Sequence, residues 1–149
     1  MIRIYRETGI DKNLIQRLRY FGNKILKYLN IKEDVVIVLV DDKKIINLNK
    51  KFFNKNTPTN VISFEIKENN LLGEIYISID TAIKEAEEWG VTLFFELIYL
   101  IIHGILHLIG YNDLTLKDEK LMEDKEIEIV KALNLNRFRY ENKNKKIKT

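Results

Sequence analysis

The stretch Thr92–Asp113, TLFFELIYLIIHGILHLIGYND, constrains this chain more than any other. It opens as a nearly unbroken apolar run, carries both histidines of the chain, His103 and His107, and closes on Gly110-Tyr111-Asn112-Asp113. A run of this length predicts one core helix, hydrophobic on almost every side. Residues four apart on a helix stand one above the other, about 6 Å along the axis, so both imidazoles reach one ion. Gly110 is suited to end the helix with a positive φ and turn the chain back, which carries Asp113 towards the same point. His103, His107 and Asp113 are therefore the candidate metal ligands and, through the water such an ion activates, the candidate catalytic residues. Two imidazoles and a carboxylate suit one divalent ion, zinc before others.

Two plainer readings compete. The run is near the length of a membrane span, but Glu96, the two histidines and Gly104 lie inside it and no basic anchor flanks it. Ionisable groups inside a bilayer are costly, so no membrane partner is expected. The other reading is a pair of core histidines held by ordinary hydrogen bonds. The glycine turn and carboxylate that follow them at ligand spacing favour the metal.

Composition narrows the setting. At 149 residues, 46% hydrophobic and 32% charged, the chain has the balance of one soluble domain. With no cysteine there is no disulfide partner and no thiolate metal site. Met1-Ile2-Arg3-Ile4-Tyr5 already alternates like a strand and no small-residue cleavage site follows, so a cytoplasmic protein is expected. The net charge of +3 is uneven: residues 136–149 hold six basic side chains against Glu141 alone, which leaves the rest two units negative. The expected organisation is a folded domain over 1–135 and a basic, flexible tail over 136–149, where Arg137-Phe138-Arg139-Tyr140 interleaves cations and aromatics as an RNA-facing arm would.

Periodicity predicts strands over 1–7, 35–40, 61–66 and 71–78, the last two antiparallel across the turn Lys67–Asn70. Helices are predicted over 12–29 behind Asp11, from Asp41 or Asp42 to Phe52, from an Asp80 cap to Trp89, through the central run, and over 116–133. Leu121, Met122, Ile127, Ile129, Val130 and Leu133 are the apolar positions of the last. The order points to a single-domain α+β fold, a small mixed sheet of about four strands packed with helices, the metal-bearing helix central.

Three protein ligands leave an ion one open position, the arrangement of a catalytic site. The spacing resembles that of zinc peptidases, except that their catalytic glutamate follows the first histidine and Gly104 stands there. A peptidase relative is the weaker alternative for that reason. His103-Gly104-Ile105-Leu106-His107-Leu108-Ile109-Gly110-Tyr111 is similar to the signature of the YbeY family of bacterial metal-dependent endoribonucleases. Pro58-Thr59-Asn60-Val61-Ile62-Ser63-Phe64, Leu72-Gly73-Glu74-Ile75-Tyr76-Ile77-Ser78, Leu48-Asn49 and the Met122 helix match it in the same order, covering about residues 33–135.

The resemblance implies a single-strand-specific endoribonuclease that matures the 3′ end of 16S rRNA and acts in ribosome quality control. Its partners would be the small ribosomal subunit and ribosome-associated proteins. His103 and His107 match the first two metal ligands of the family, and Asp113 stands where a third histidine is usual. Phe53 stands where a phosphate-facing arginine is usual. Lys50, Lys51, Lys55, Asn60, Ser63, Arg137 and Arg139 are the candidate substrate-binding residues. Phe53 and Asp113 keep a rival open, a metal-stabilised ribosome-assembly factor with little or no catalysis.

Overall fold

The computed structural model describes residues 1–6 and 9–135; the tail and its Arg137 and Arg139 lie outside the described residues. In chain order the elements are β1 (Ile2–Arg6), α1 (Lys12–Tyr28), β2 (Asp34–Val40), α2 (Asp42–Phe53), β3 (Val61–Glu68), β4 (Leu71–Ser78), α3 (Ile79–Trp89), α4 (Leu93–Leu108) and α5 (Leu116–Ala132). The sheet order is β1-β2-β4-β3. β1, β2 and β4 run parallel, and β3 pairs antiparallel with β4 at the edge. The expected α+β fold with a small mixed sheet is the one observed.

Side-chain alternation splits the sheet between two cores. Val35, Ile37 and Leu39 of β2 and Ile75 and Ile77 of β4 join the main core with α1, α4 and α5. Val38 and Val40, with Ile62, Phe64 and Tyr76, pack against Ile45, Ile46 and Leu48 of α2 on the other face. β2 reads as an unbroken apolar run because both its faces are covered.

The caps are mostly those expected. Asp11 and Asp41 accept from Asn13 and Lys44 backbone N–H groups at the starts of α1 and α2. α3 departs from expectation: Ser78 is its cap, accepting from the Thr81 N–H, and the helix already includes Asp80. Asp80 Oδ2 instead accepts from the Asp42 N–H, while Asp42 Oδ1 accepts from the Ser78 and Thr81 hydroxyls. Asp80 of α3 thus satisfies a free N–H at the start of α2, and Asp42 in return holds two hydroxyls at the start of α3. Gly90, at φ 66°, ends α3 and frees the chain to enter α4 behind the Thr92 cap.

From Phe95 to Leu108, every residue of α4 is buried except His103 and His107. No single helix among the described residues is long and apolar enough to cross a membrane. The apolar length of α4 is accounted for by α1, α3, α5 and the sheet, all of which pack on it.

Candidate active site

The two histidines surface because α4 runs past the edge strand β3, where the sheet ends. Gly104 brings the helix close: a Cβ there would sit 2.8 Å from Ile75 Cγ2 and 3.1 Å from Ser63 Oγ. The Ser63 hydroxyl donates to the Gly104 carbonyl at 3.1 Å and pins strand to helix. A peptidase-like glutamate at position 104 has no room, since that position faces the sheet.

The imidazoles lie at 79° to each other, with Nε2 atoms 3.1 Å apart. Each ring is held from behind through Nδ1. His107 Nδ1 lies 3.0 Å from the Tyr111 carbonyl, and His103 Nδ1 lies 2.7 Å from Glu126 Oε2. A carbonyl only accepts, so His107 carries its proton on Nδ1, and the Glu126 carboxylate asks the same of His103. With both Nδ1 atoms engaged, the two Nε2 atoms face one another, an arrangement satisfied by a cation or a proton between them. Two nitrogens bound to one tetrahedral zinc at usual lengths stand about 3.3 Å apart, so the pair fits such an ion. Burial, then the neighbouring His103, hold the His107 imidazole below its ordinary 6.5; Asp113, the Tyr111 carbonyl and Glu126 oppose this.

The turn after α4 is built as the glycine implied. Gly110 takes φ 106° and the Tyr111 N–H returns to the Leu106 carbonyl at 3.0 Å. That bond sets the Tyr111 carbonyl where His107 needs it. Asn112 Oδ1 caps the Leu114 N–H at 3.0 Å, and Asp113 stays exposed at the rim, near enough for its charge to act on His107. Among the described residues, no three His, Asp or Glu side chains are drawn together closely enough to hold an ion as they stand. A carboxylate is held in water more strongly than an imidazole, which favours this outward position.

A cleft of about 640 Å³ opens over the pair, walled by Phe53, Lys55, Asn60, Ser63 and Glu65 on one side and Gly110 to Asp113 on the other. Lys55 lies in its wall; Lys50 and Lys51 lie outside it, exposed on α2. Asn60 and Ser63 line it but have structural partners, since the Asn60 amide donates to Glu85 of α3 at 3.1 Å. Asn49, a buried polar side chain of α2, donates to the Thr57 carbonyl and shapes the loop before β3.

Sequence reasoning missed Glu126. It sits between Met122 and Ile129–Val130 on the buried stripe of α5, where a carboxylate breaks the apolar pattern, and that was the available signal. Leu121, expected on that stripe, is 53% exposed. With Met122, Ile129 and Val130 turned inward, it falls outside the arc they define.

Paired imidazole nitrogens at the mouth of an open cleft, on the most buried helix of an α+β domain, make this cleft the candidate active site. The family model described as endoribonuclease YbeY matches residues 3–134. The chain is 47% identical over 105 residues to the endoribonuclease YbeY of Nautilia profundicola, covering 69% of this chain and 74% of that one. It is 34% identical over 142 residues to that of Pelotomaculum thermopropionicum, covering 88% and 93%. The solution structure of TM1509 from Thermotoga maritima superposes with a TM-score of 0.66 at 34% identity, covering 87% of each chain. This chain belongs to the YbeY endoribonuclease family.

Proposed function

We propose that the chain is a metal-dependent, single-strand-specific endoribonuclease, a hydrolase of RNA phosphodiester bonds, with His103, His107 and Asp113 as its metal ligands. The observation that carries the reading is the pair of Nε2 atoms 3.1 Å apart, each ring tied back through Nδ1. His103, His107 and Asp113 would hold a divalent ion, zinc being the simplest choice for this donor set, and such an ion would supply Lewis acidity towards a phosphoryl oxygen and acidify a water towards neutrality.

The chain's own residues do the rest. Glu126 and the Tyr111 carbonyl keep both imidazoles in one tautomer and one orientation. Burial keeps His107 neutral, so its lone pair is available near pH 7. Asp113, exposed at the rim beyond the Gly110 turn, would supply the third, carboxylate ligand. Lys55 offers a point charge to the RNA backbone from the cleft wall. Lys50 and Lys51 on α2 add further positive charge, Arg137 and Arg139 are candidates on sequence grounds alone, and Asn60 and Ser63 offer polar edges.

The resemblance in motif order supports ribosomal RNA as the substrate class, near the 3′ end of 16S rRNA. It likewise supports a role in ribosome quality control beside the small subunit and its associated proteins, in the cytoplasm. The test is cleavage of an unstructured RNA with and without chelator, beside His107→Ala, with metal content measured on the purified protein. Both treatments are expected to abolish cleavage. Cleavage persisting unchanged in both would end the metal-hydrolase reading, and RNA binding without any cleavage in the wild type would favour the assembly factor.

A further inference from the structure

Phe52 and Phe53, at the end of α2, are 53% and 49% exposed, although aromatic rings are among the side chains water most disfavours. Phe53 borders the histidine cleft. One side of it is backed by Phe64 of β3, ring centroids 6.3 Å apart and planes within 20°, so its orientation is set by a neighbour on the edge strand. Phe52 packs edge-on against the same Phe64 at 4.9 Å, with Lys51 Nζ 5.3 Å from its centroid. Asn54 then takes the left-handed conformation, at φ 55°, and the next residue, Lys55, enters the cleft wall.

We infer that Phe53 is a base-stacking subsite, taking the unpaired nucleobase beside the phosphodiester presented to His103 and His107. The inference rests on the proposed ribonuclease reading. An oriented ring with half its surface open, next to a lysine and a hydrolytic cleft, is what a strand with splayed bases requires: a π-face for the base and a cation for its phosphate. A duplex keeps its bases stacked on each other and offers no free face. Phe53 therefore selects unpaired RNA by what the strand can insert, independently of sequence, because every base has such a face.

The test measures binding of an unstructured 2′-deoxy oligonucleotide, with chelator present to withhold the metal that cleavage requires, to the wild type, Phe53→Leu, Phe53→Ala and Phe53→Trp. The same strand with abasic positions and a matching duplex are measured alongside. Leucine keeps apolar contact with Phe64 but cannot stack. Leucine and alanine are expected to weaken binding of the unpaired strand about tenfold and to leave the abasic strand and the duplex unchanged. Tryptophan is expected to restore affinity, its emission quenched by the base-bearing strand beyond any change seen for native Trp89. Equal affinity for Phe53→Leu and wild type, or an equal loss on the abasic strand, overturns the inference. Wild-type cleavage with an indifferent Phe53 removes the subsite alone. Absence of wild-type cleavage removes the ribonuclease reading, while the binding series still decides whether position 53 stacks bases.

Discussion

Glu126 Oε2 lies 2.7 Å from His103 Nδ1, and the carboxylate that makes this contact is 3% exposed. A buried carboxylate is costly unless it is paired, and this one comes from α5, twenty-three positions further along the chain. The contact ties the docking of α5 to the orientation of a ring in the cleft. It also fixes which nitrogen of His103 faces outward.

Removing that carboxylate should loosen metal binding before it affects folding. Glu126→Ala is expected to weaken zinc or cobalt affinity by about 10- to 100-fold, the usual cost of losing a group that orients a ligand. Glu126→Gln, whose amide oxygen still accepts from Nδ1, should lose less. Titration with cobalt, followed by its visible absorption, checks both; equal affinities across the three proteins would deny Glu126 an orienting role.

Asp113 offers the complementary change. Asp113→His places a longer, less hydrated ligand on the same turn, and should bind zinc more tightly and cleave RNA faster than the wild type. Asp113→Ala should do the reverse. If Asp113→Ala binds zinc as well as the wild type, the third ligand lies elsewhere.

Gly104 is a packing constraint. In Gly104→Ala the new methyl meets Ile75 Cγ2 at 2.8 Å. Overpacking costs about 1–3 kcal/mol, against about 1 kcal/mol gained from alanine's helix propensity. A net loss of up to about 2 kcal/mol is expected in urea denaturation. Stability at or above wild type would show that α4 lifts from the sheet without cost.

The seam between α1 and α5 carries a pH signature. Lys125 donates to Glu128 at 2.8 Å and the Tyr28 hydroxyl donates at 2.5 Å. These bonds, that from Lys125 first, hold the Glu128 carboxyl below its ordinary 4.5. A carboxyl depressed by folding stabilises the fold above its unfolded pKa, and that contribution is lost as pH falls through the lower folded value. Glu128→Gln should therefore lower the melting temperature slightly at neutral pH, since the group is solvated. The difference should close below pH 4.5. Thermal melts across pH check it, and a gap that stays constant into acid would contradict the assignment.

Much of the fold was legible because its signals are local. Asp11, Gly90 and the β-branched run of β2 marked their elements through backbone chemistry acting within a few residues. Asp80 misled because two candidate caps, Ser78 and Asp80, lie two residues apart. Only the packing of α2 beside α3 decides which serves which helix. Leu121 misled because a helix with a weak apolar stripe admits more than one inward face.

Two imidazoles on one helical face, and the turn at Gly110 after them, are written in the order of the residues. Helical pitch and glycine's freedom at positive φ are properties of neighbouring residues. Tertiary structure alone decided that Glu126 stands behind His103, that Asn60 is engaged by Glu85, and that Asp113 rests at the rim with Phe53 across the cleft. Those meetings depend on strand order and helix docking, and no spacing along a chain encodes the distance between residues that packing alone brings together.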